Sequence, residues 1–204
     1  MHDREIAIRA LLITGTCGSG KTTVAGLLTA NFGWERIAED DIWRGRFAKN
    51  RGAFGSEEHR QKRRKVHEVV FAAIHQAMRY GRRIVIDATV HESPPEAFHE
   101  YRDFFERYGV RWTFRVLHPR LEIAQDRDAR RARGSLGPER VASLYAKFGG
   151  TVFDPECFLD TSDDTPEQTV RRLLADLAIV RKDFSFGQKR ERLAALLPAA
   201  CARD

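Results

Sequence analysis

The sequence predicts an α/β fold in which one parallel sheet of five strands is covered by helices on both faces. Three observations predict it. Short apolar runs alternate with longer stretches of helical period along the chain, the pattern of successive strand–helix–strand units. The first apolar run passes through a glycine-rich turn straight into a helix. The chain, at 204 residues, suits one such domain with an appendage better than two full domains.

The elements follow in order. Ala7–Ile13 is the first strand, and its run Ala10-Leu11-Leu12-Ile13 reads as buried. Lys21–Asn31 is a helix stopped by Gly33, and Glu35–Glu39 is a short second strand. Glu57–Tyr80 is a long amphipathic helix with Val66, Val69, Val70, Ala73, Ile74 and Ala77 on one side, closed by Gly81. Arg83–Asp87 is the third strand. Ser93-Pro94-Pro95-Glu96 starts a helix with proline in its first turn, ending near Tyr108 and Gly109. Arg111–His118 is the fourth strand, and Leu121–Gly134 is an arginine-rich helix. A turn at Ser135-Leu136-Gly137-Pro138 leads into a further helix through about Phe148. Cys157–Asp160 is the fifth strand, and Thr165-Pro166-Glu167 opens a last long helix carrying Val170, Leu173, Leu174 and Leu177. The domain is expected over residues 1–183, with a lid at about 127–140. Residues 184–204 form a tail, with one short helix expected at Gln188–Leu197.

Composition narrows the class. With 42% hydrophobic and 31% charged residues the chain is that of a globular protein. No apolar stretch approaches the roughly 20 residues that span a bilayer, and no signal-peptide pattern opens the chain, so a cytoplasmic location is expected. Cys17, Cys157 and Cys201 are too few and too scattered for a disulfide framework or a zinc site. A net charge of +6 suits anionic ligands.

Gly15-Thr16-Cys17-Gly18-Ser19-Gly20-Lys21-Thr22 is a complete phosphate-binding loop, set between a strand and a helix. Glycines let successive N–H groups converge on phosphate oxygens, and the helix N-terminus adds partial positive charge. Lys21 is then the group for the β- and γ-phosphates and the Thr22 hydroxyl a Mg²⁺ ligand. The pattern implies a nucleoside triphosphate as ligand, contacted by Gly15 through Thr22, with Thr23 and Arg127 added. Cys17 reads either as a thiol sensitised by the helix N-terminus or as a small residue filling the loop.

Polar residues fall at the other strand ends, where ligands collect in such sheets. Asp40-Asp41 follows the second strand; one carboxylate is a candidate base for a hydroxyl, the other a cap for a helix starting at Ile42. Arg44 and Arg46 are candidates to hold an anionic part of an acceptor, or a solvated helix face. Asp87 ends an apolar strand and is a candidate to hold Mg²⁺, directly or through water. Thr89 and His91 lie at the pocket edge, with Thr89 a candidate substrate contact and His91 unassigned. Arg127, Arg130, Arg131 and Arg133 crowd one helix beside glycines, as arginines of a mobile lid would. Asp126 and Asp128 also allow an exposed face of ion pairs. Arg130 and Arg133 are the candidates for stabilising transferred charge. His59 to Lys65 is the densest basic run, either a solvated helix face or a track for a nucleic acid backbone. Trp34, Trp43, Phe47 and Phe54 line an acceptor pocket or simply pack.

These motifs together resemble the small P-loop kinases, such as gluconate kinase, shikimate kinase, chloramphenicol phosphotransferase and the kinase domain of polynucleotide kinase. The resemblance spans about residues 7–181. It implies a P-loop NTPase fold with strand order 2-3-1-4-5, ATP with Mg²⁺ as donor and a hydroxyl as acceptor. Ala38-Glu39-Asp40-Asp41-Ile42-Trp43-Arg44, Ile84 to Thr89, and Arg133-Gly134 through Pro138 to Tyr145 are similar to segments of polynucleotide kinase. In that likeness Asp40 is the base. Arg44 falls one residue later than the pattern, and shifting the register would give the role to Asp41. The expectation is an ATP-dependent phosphotransferase acting on a small-molecule hydroxyl, with Asp40, Lys21, Arg130 and Arg133 catalytic and Asp41, Arg44 and Thr89 on the substrate. The alternative is a polynucleotide 5′-hydroxyl kinase, and a regulatory NTPase is the third reading.

Overall fold

The structure, a computed structural model, describes residues 9–47, 50, 52–53, 55–92, 94–131, 134–149 and 152–183. Arg133, Phe54 and the expected tail helix lie outside the described residues. The strands are β1 (Ala10–Thr14), β2 (Glu35–Ala38), β3 (Ile84–Asp87), β4 (Trp112–Leu117) and β5 (Phe158–Leu159). They form one parallel sheet in the order β2-β3-β1-β4-β5. The helices are α1 (Lys21–Phe32), α2 (Glu39–Phe47), α3 (Glu57–Arg79), α4 (Glu96–Arg107), α5 (Leu121–Ala129), α6 (Pro138–Tyr145) and α7 (Pro166–Asp183). Among the described residues, no helix is long and apolar enough to cross a membrane.

Alternation along the strands sorts the core into two halves. Leu12, Ile84 and Ile86 point to one face, where Val66, Val70 and Ile74 of α3 and Tyr101 and Phe105 of α4 cover them. Leu11, Ile13 and Val85 point to the other, against Val24 and Leu28 of α1 and Val170, Leu173 and Leu177 of α7. A strand buried on both faces must be apolar at every position, as Ala10 to Ile13 is. Truncating one such side chain to alanine costs about 2–5 kcal/mol.

Several element boundaries differ from expectation. The second strand stops at Ala38, and Glu39 opens α2, so Asp40 and Asp41 lie in the first turn of that helix rather than before it. The arginine-rich helix α5 ends at Ala129 rather than Gly134. There the buried Asp128 carboxylate accepts the Leu136 N–H (2.8 Å) and the Ser135 hydroxyl (3.1 Å), drawing the returning chain against the helix. Helix α4 begins at Glu96, with Pro95 at its N-cap rather than inside the first turn.

Beneath the apolar face lies a polar knot that joins α2, α3 and α4. The Glu39 carboxylate is 6% exposed and accepts from Trp43 Nε1 (3.1 Å) and the Tyr101 hydroxyl (3.0 Å). His67 of α3 sits between Glu39 (3.7 Å) and Glu100 of α4, and Arg63 also pairs with Glu100 (3.1 Å). Burial alone would lower the His67 pKa, but the hydrogen bonds and charges of Glu100 and Glu39 outweigh it and raise it to about 9. Burial likewise acts against the Glu39 carboxylate, yet His67 and the Trp43 and Tyr101 donors hold it below the usual range.

This knot gives stability a pH dependence. His67 titrates near 6.5 when unfolded and near 9 when folded, so its contribution is whole below about pH 6.5 and is lost as pH rises through 9. The unfolding free energy of wild type minus that of His67→Gln should shrink by on the order of 3 kcal/mol between pH 6 and pH 10. Urea titrations across that range read the difference; a gap that stays constant would contradict a protonated His67.

Candidate active site

Residues 15–20 leave the carboxyl end of β1 and close into α1. The loop is fitted to its surroundings by the absence of side chains. Gly18 has φ +79°, and a Cβ there would stand 2.0 Å from the Ala124 carbonyl oxygen of α5. A Cβ on Gly15 would lie 2.3 Å from the Leu117 carbonyl oxygen at the end of β4. Glycine is thus required by close backbone approach as well as by left-handed geometry.

The Lys21 ammonium folds back over the loop, donating to the carbonyls of Gly15 (2.8 Å) and Thr16 (3.0 Å) and to the Ser19 hydroxyl (3.4 Å). Burial lowers its pKa, while the Asp87 carboxylate opposes that shift. Register explains why Asp87 is near: Ile13 of β1 pairs with Asp87 of β3. Alternation then turns Asp87 to the α1 face, and the Thr22 hydroxyl donates to its Oδ2 at 2.9 Å. The same oxygen accepts from Arg36 Nη2 at 2.8 Å. Two hard oxygen donors beside a phosphate loop fit Mg²⁺, which favours a few protein oxygens completed by phosphates and water.

The loop after β3 is pinned across the top of β1. The Thr14 hydroxyl donates to the Val90 carbonyl (3.0 Å) and accepts the Val90 N–H (2.8 Å). That holds Thr89 half-buried and His91 buried beside the phosphate loop. Burial, with Lys147 and Lys21 adding repulsion, lowers the His91 pKa to about 4, so its imidazole is neutral at pH 7. The Cys17 thiol is half-buried, and burial pushes its pKa up despite the nearby Lys21. A thiol shifted in that direction is the opposite of an activated thiolate.

Asp40 and Asp41, adjacent in sequence, sit differently. The charge of Asp40 bears on both Lys21 and Cys17, so its carboxylate is within electrostatic reach of the phosphate loop. Asp41 is exposed and paired with Arg44, whose Nε also donates to the Asp40 carbonyl (3.3 Å). Trp34 and Trp43 are core residues at 3% and 5% exposure, and Phe47 packs against the same core.

The arginines divide their roles. Arg127 Nη2 donates to the carbonyls of Thr161 (2.8 Å) and Ser162 (3.3 Å), tying α5 to the loop after β5. Arg130 makes an i,i+4 pair with Asp126 at 2.8 Å and is mostly exposed. Arg131, just past the end of α5, carries a charge that acts on Lys21 and Cys17. It approaches Asp128 at 3.7 Å. The basic run of α3 is interrupted by ion pairs, Arg60 with Glu57 (3.0 Å), Lys62 with Glu58, and Arg63 with Glu100.

Residues 11–146 match the family model described as the AAA domain. The chain belongs to that family. This AAA domain has the P-loop NTPase kinase fold, and solved structures of low identity share it. A sugar kinase from Janibacter sp. HTCC2649 has TM-score 0.61 and 22% identity over 87% of this chain and 99% of its own. A gluconokinase from Sinorhizobium meliloti 1021 has TM-score 0.60 and 15% identity over 85% and 93%. The shikimate kinase from Acinetobacter baumannii in complex with shikimate has TM-score 0.59 and 15% identity over 86% and 96%. No curated protein sequence matches the chain.

The loop geometry makes a graded prediction. Gly18→Ala meets both positive φ and a backbone carbonyl, whereas Gly20→Ala meets positive φ alone, with no atom within 4 Å. Gly20→Ala should cost about 1 kcal/mol, and Gly18→Ala distinctly more, with loss of nucleotide binding. Thermal melts and titration with a non-hydrolysable ATP analogue read both; equal effects would mean that the contact with Ala124 is unimportant.

Proposed function

We propose that this protein is an ATP-dependent kinase that transfers the γ-phosphoryl group to a hydroxyl of a small molecule. One observation carries the reading: a complete phosphate loop faces a strand-end carboxylate bonded to Thr22, while a second carboxylate, Asp40, acts electrostatically on Lys21. The similarity of the fold to a sugar kinase, a gluconokinase and a shikimate kinase supports phosphoryl transfer to a small acceptor.

In this mechanism the amides of residues 15–22 and the Lys21 ammonium hold the β- and γ-phosphates. Lys21 gives up its contacts with the Gly15 and Thr16 carbonyls to do so. Thr22 and Asp87 are the residues that would hold Mg²⁺, which when bound would supply neutralisation of phosphate charge. Asp40 takes the acceptor's proton as the oxygen bonds to the γ-phosphorus, and the bond to the β–γ bridging oxygen breaks to release ADP. Asp40 is favoured over Asp41 because its charge acts on Lys21 and Cys17 of the phosphate loop, whereas that of Asp41 does not figure there. Arg44 and Thr89 are the proposed acceptor contacts beside Asp41. Charge developing on the transferred group is met by arginines from the segment between α5 and α6, with Arg130 and Arg133 joined here by Arg131.

Asp40→Asn should lower turnover by about 10²–10⁴-fold and leave the affinity for an ATP analogue nearly unchanged. Matching losses in turnover and binding would remove Asp40 from the role of base. The acceptor is found by measuring ATP consumption over sugars, sugar acids, nucleosides, antibiotics and 5′-hydroxyl oligonucleotides, with product mass reporting the gained phosphoryl group. Transfer to oligonucleotides in preference to every small molecule would favour the polynucleotide reading instead.

A further inference from the structure

Asp87, the strand-end carboxylate beside Thr22, is already in contact with a cation of the chain itself. Arg36 lies on β2, the edge strand next to β3, and the alternation that buries Ile37 against the α3 face directs Arg36 toward α1. Its Nη2 reaches the same Asp87 oxygen that the Thr22 hydroxyl uses, at 2.8 Å and 2.9 Å. Asp87 is 7% exposed and the Arg36 side chain 27%, so water is kept from the carboxylate end of the pair.

The contact is not shaped like a permanent structural bridge. A guanidinium that serves a carboxylate structurally tends to engage it with two parallel N–H bonds. Here a single prong is used, and the buried Nε–H of Arg36 has no hydrogen-bond partner. The local charge also matters. Lys21 acts on Asp87 from the loop side, and the α1 N-terminus adds partial positive charge. One carboxylate therefore faces two cations, and a further divalent cation arriving alone meets a site already neutralised. A triphosphate reverses that balance, drawing Lys21 onto its own oxygens and bringing negative charge to offset Arg36.

We infer that Arg36 guards the metal position, so that a divalent cation enters beside Thr22 and Asp87 only together with nucleotide phosphates. This rests on the reading of Thr22 and Asp87 as metal-holding residues. Arg36 is a positioning residue in this role, acting through Asp87 and not on the transferred group. Its effect would be to keep the vacant loop from trapping free divalent cations and to make the nucleotide–metal complex the species that binds.

The test is Mn²⁺ binding by electron paramagnetic resonance on the full chain, with and without ADP. Wild type and Arg36→Lys should take up free Mn²⁺ weakly, while Arg36→Gln and Arg36→Met should bind it at least about tenfold more tightly, as removal of an adjacent cation predicts. Arg36→Met keeps the apolar stem, which preserves packing if the glutamine variant unfolds. Equal free-Mn²⁺ affinity in wild type and in whichever of these two variants is folded would overturn the role of Arg36. So would wild type binding free Mn²⁺ as tightly as it does with ADP. Absence of Mn²⁺ uptake by wild type even with ADP would instead count against the metal reading of Thr22 and Asp87.

Discussion

The close seating of the phosphate loop against neighbouring backbone is the constraint on which the rest of this structure depends. Gly15 and Gly18 lie against carbonyl oxygens at the end of β4 and within α5 at separations that leave no room for a methyl group. The loop is therefore positioned by the sheet and by α5 together, before any ligand arrives. Everything polar in the site is placed relative to it. Asp87 arrives through the register of β3 with β1, and the loop after β3 through the paired hydrogen bonds of Thr14. Lys21 rests on the loop's own carbonyls. Such preorganisation leaves little reorganisation to be done when charge develops.

Much of this was legible in the residues because it depends on local pattern. The all-apolar run at Ala10 to Ile13 reads as a strand covered on two sides, and the glycine spacing fits a turn between that strand and a helix. Asp87 was legible for the same reason, as the first charged residue after Ile84-Val85-Ile86. What escaped depends on partners far away in the chain. Glu39 looked like the end of a strand, but its carboxylate is satisfied by His67 and Tyr101, from helices whose positions no local pattern encodes. Arg36 can be assigned to the α1 face only once β2 is known to lie beside β3. The premature end of α5 follows from Asp128 bonding to residues beyond the turn. That end also separates Arg130 from Arg131 in a way helical spacing cannot.

The knot around Glu39 connects the core to the site. Glu39 precedes Asp40 directly, so the donors that fix the Glu39 carboxylate also fix the first turn of α2. A buried histidinium between two carboxylates is costly to assemble, since each ion must leave water. Three helices must dock correctly for that cost to be offset, which links the placement of Asp40 to the packing of α3 and α4. Removing His67 would leave two acidic groups facing each other, the arrangement least tolerated in a nonpolar interior.

The two outer strands of the sheet are short, four residues in β2 and two in β5, and β2 opens with two charged residues. Glu35 is held by Arg82 at 2.9 Å and Arg36 by Asp87. Unpaired strand rims invite other chains to add on and grow into aggregates, and brevity with anchored charges is how native sheets discourage it. Arg36 thus has a second consequence: the guanidinium that pairs with Asp87 also makes this margin of the sheet a poor template for self-association.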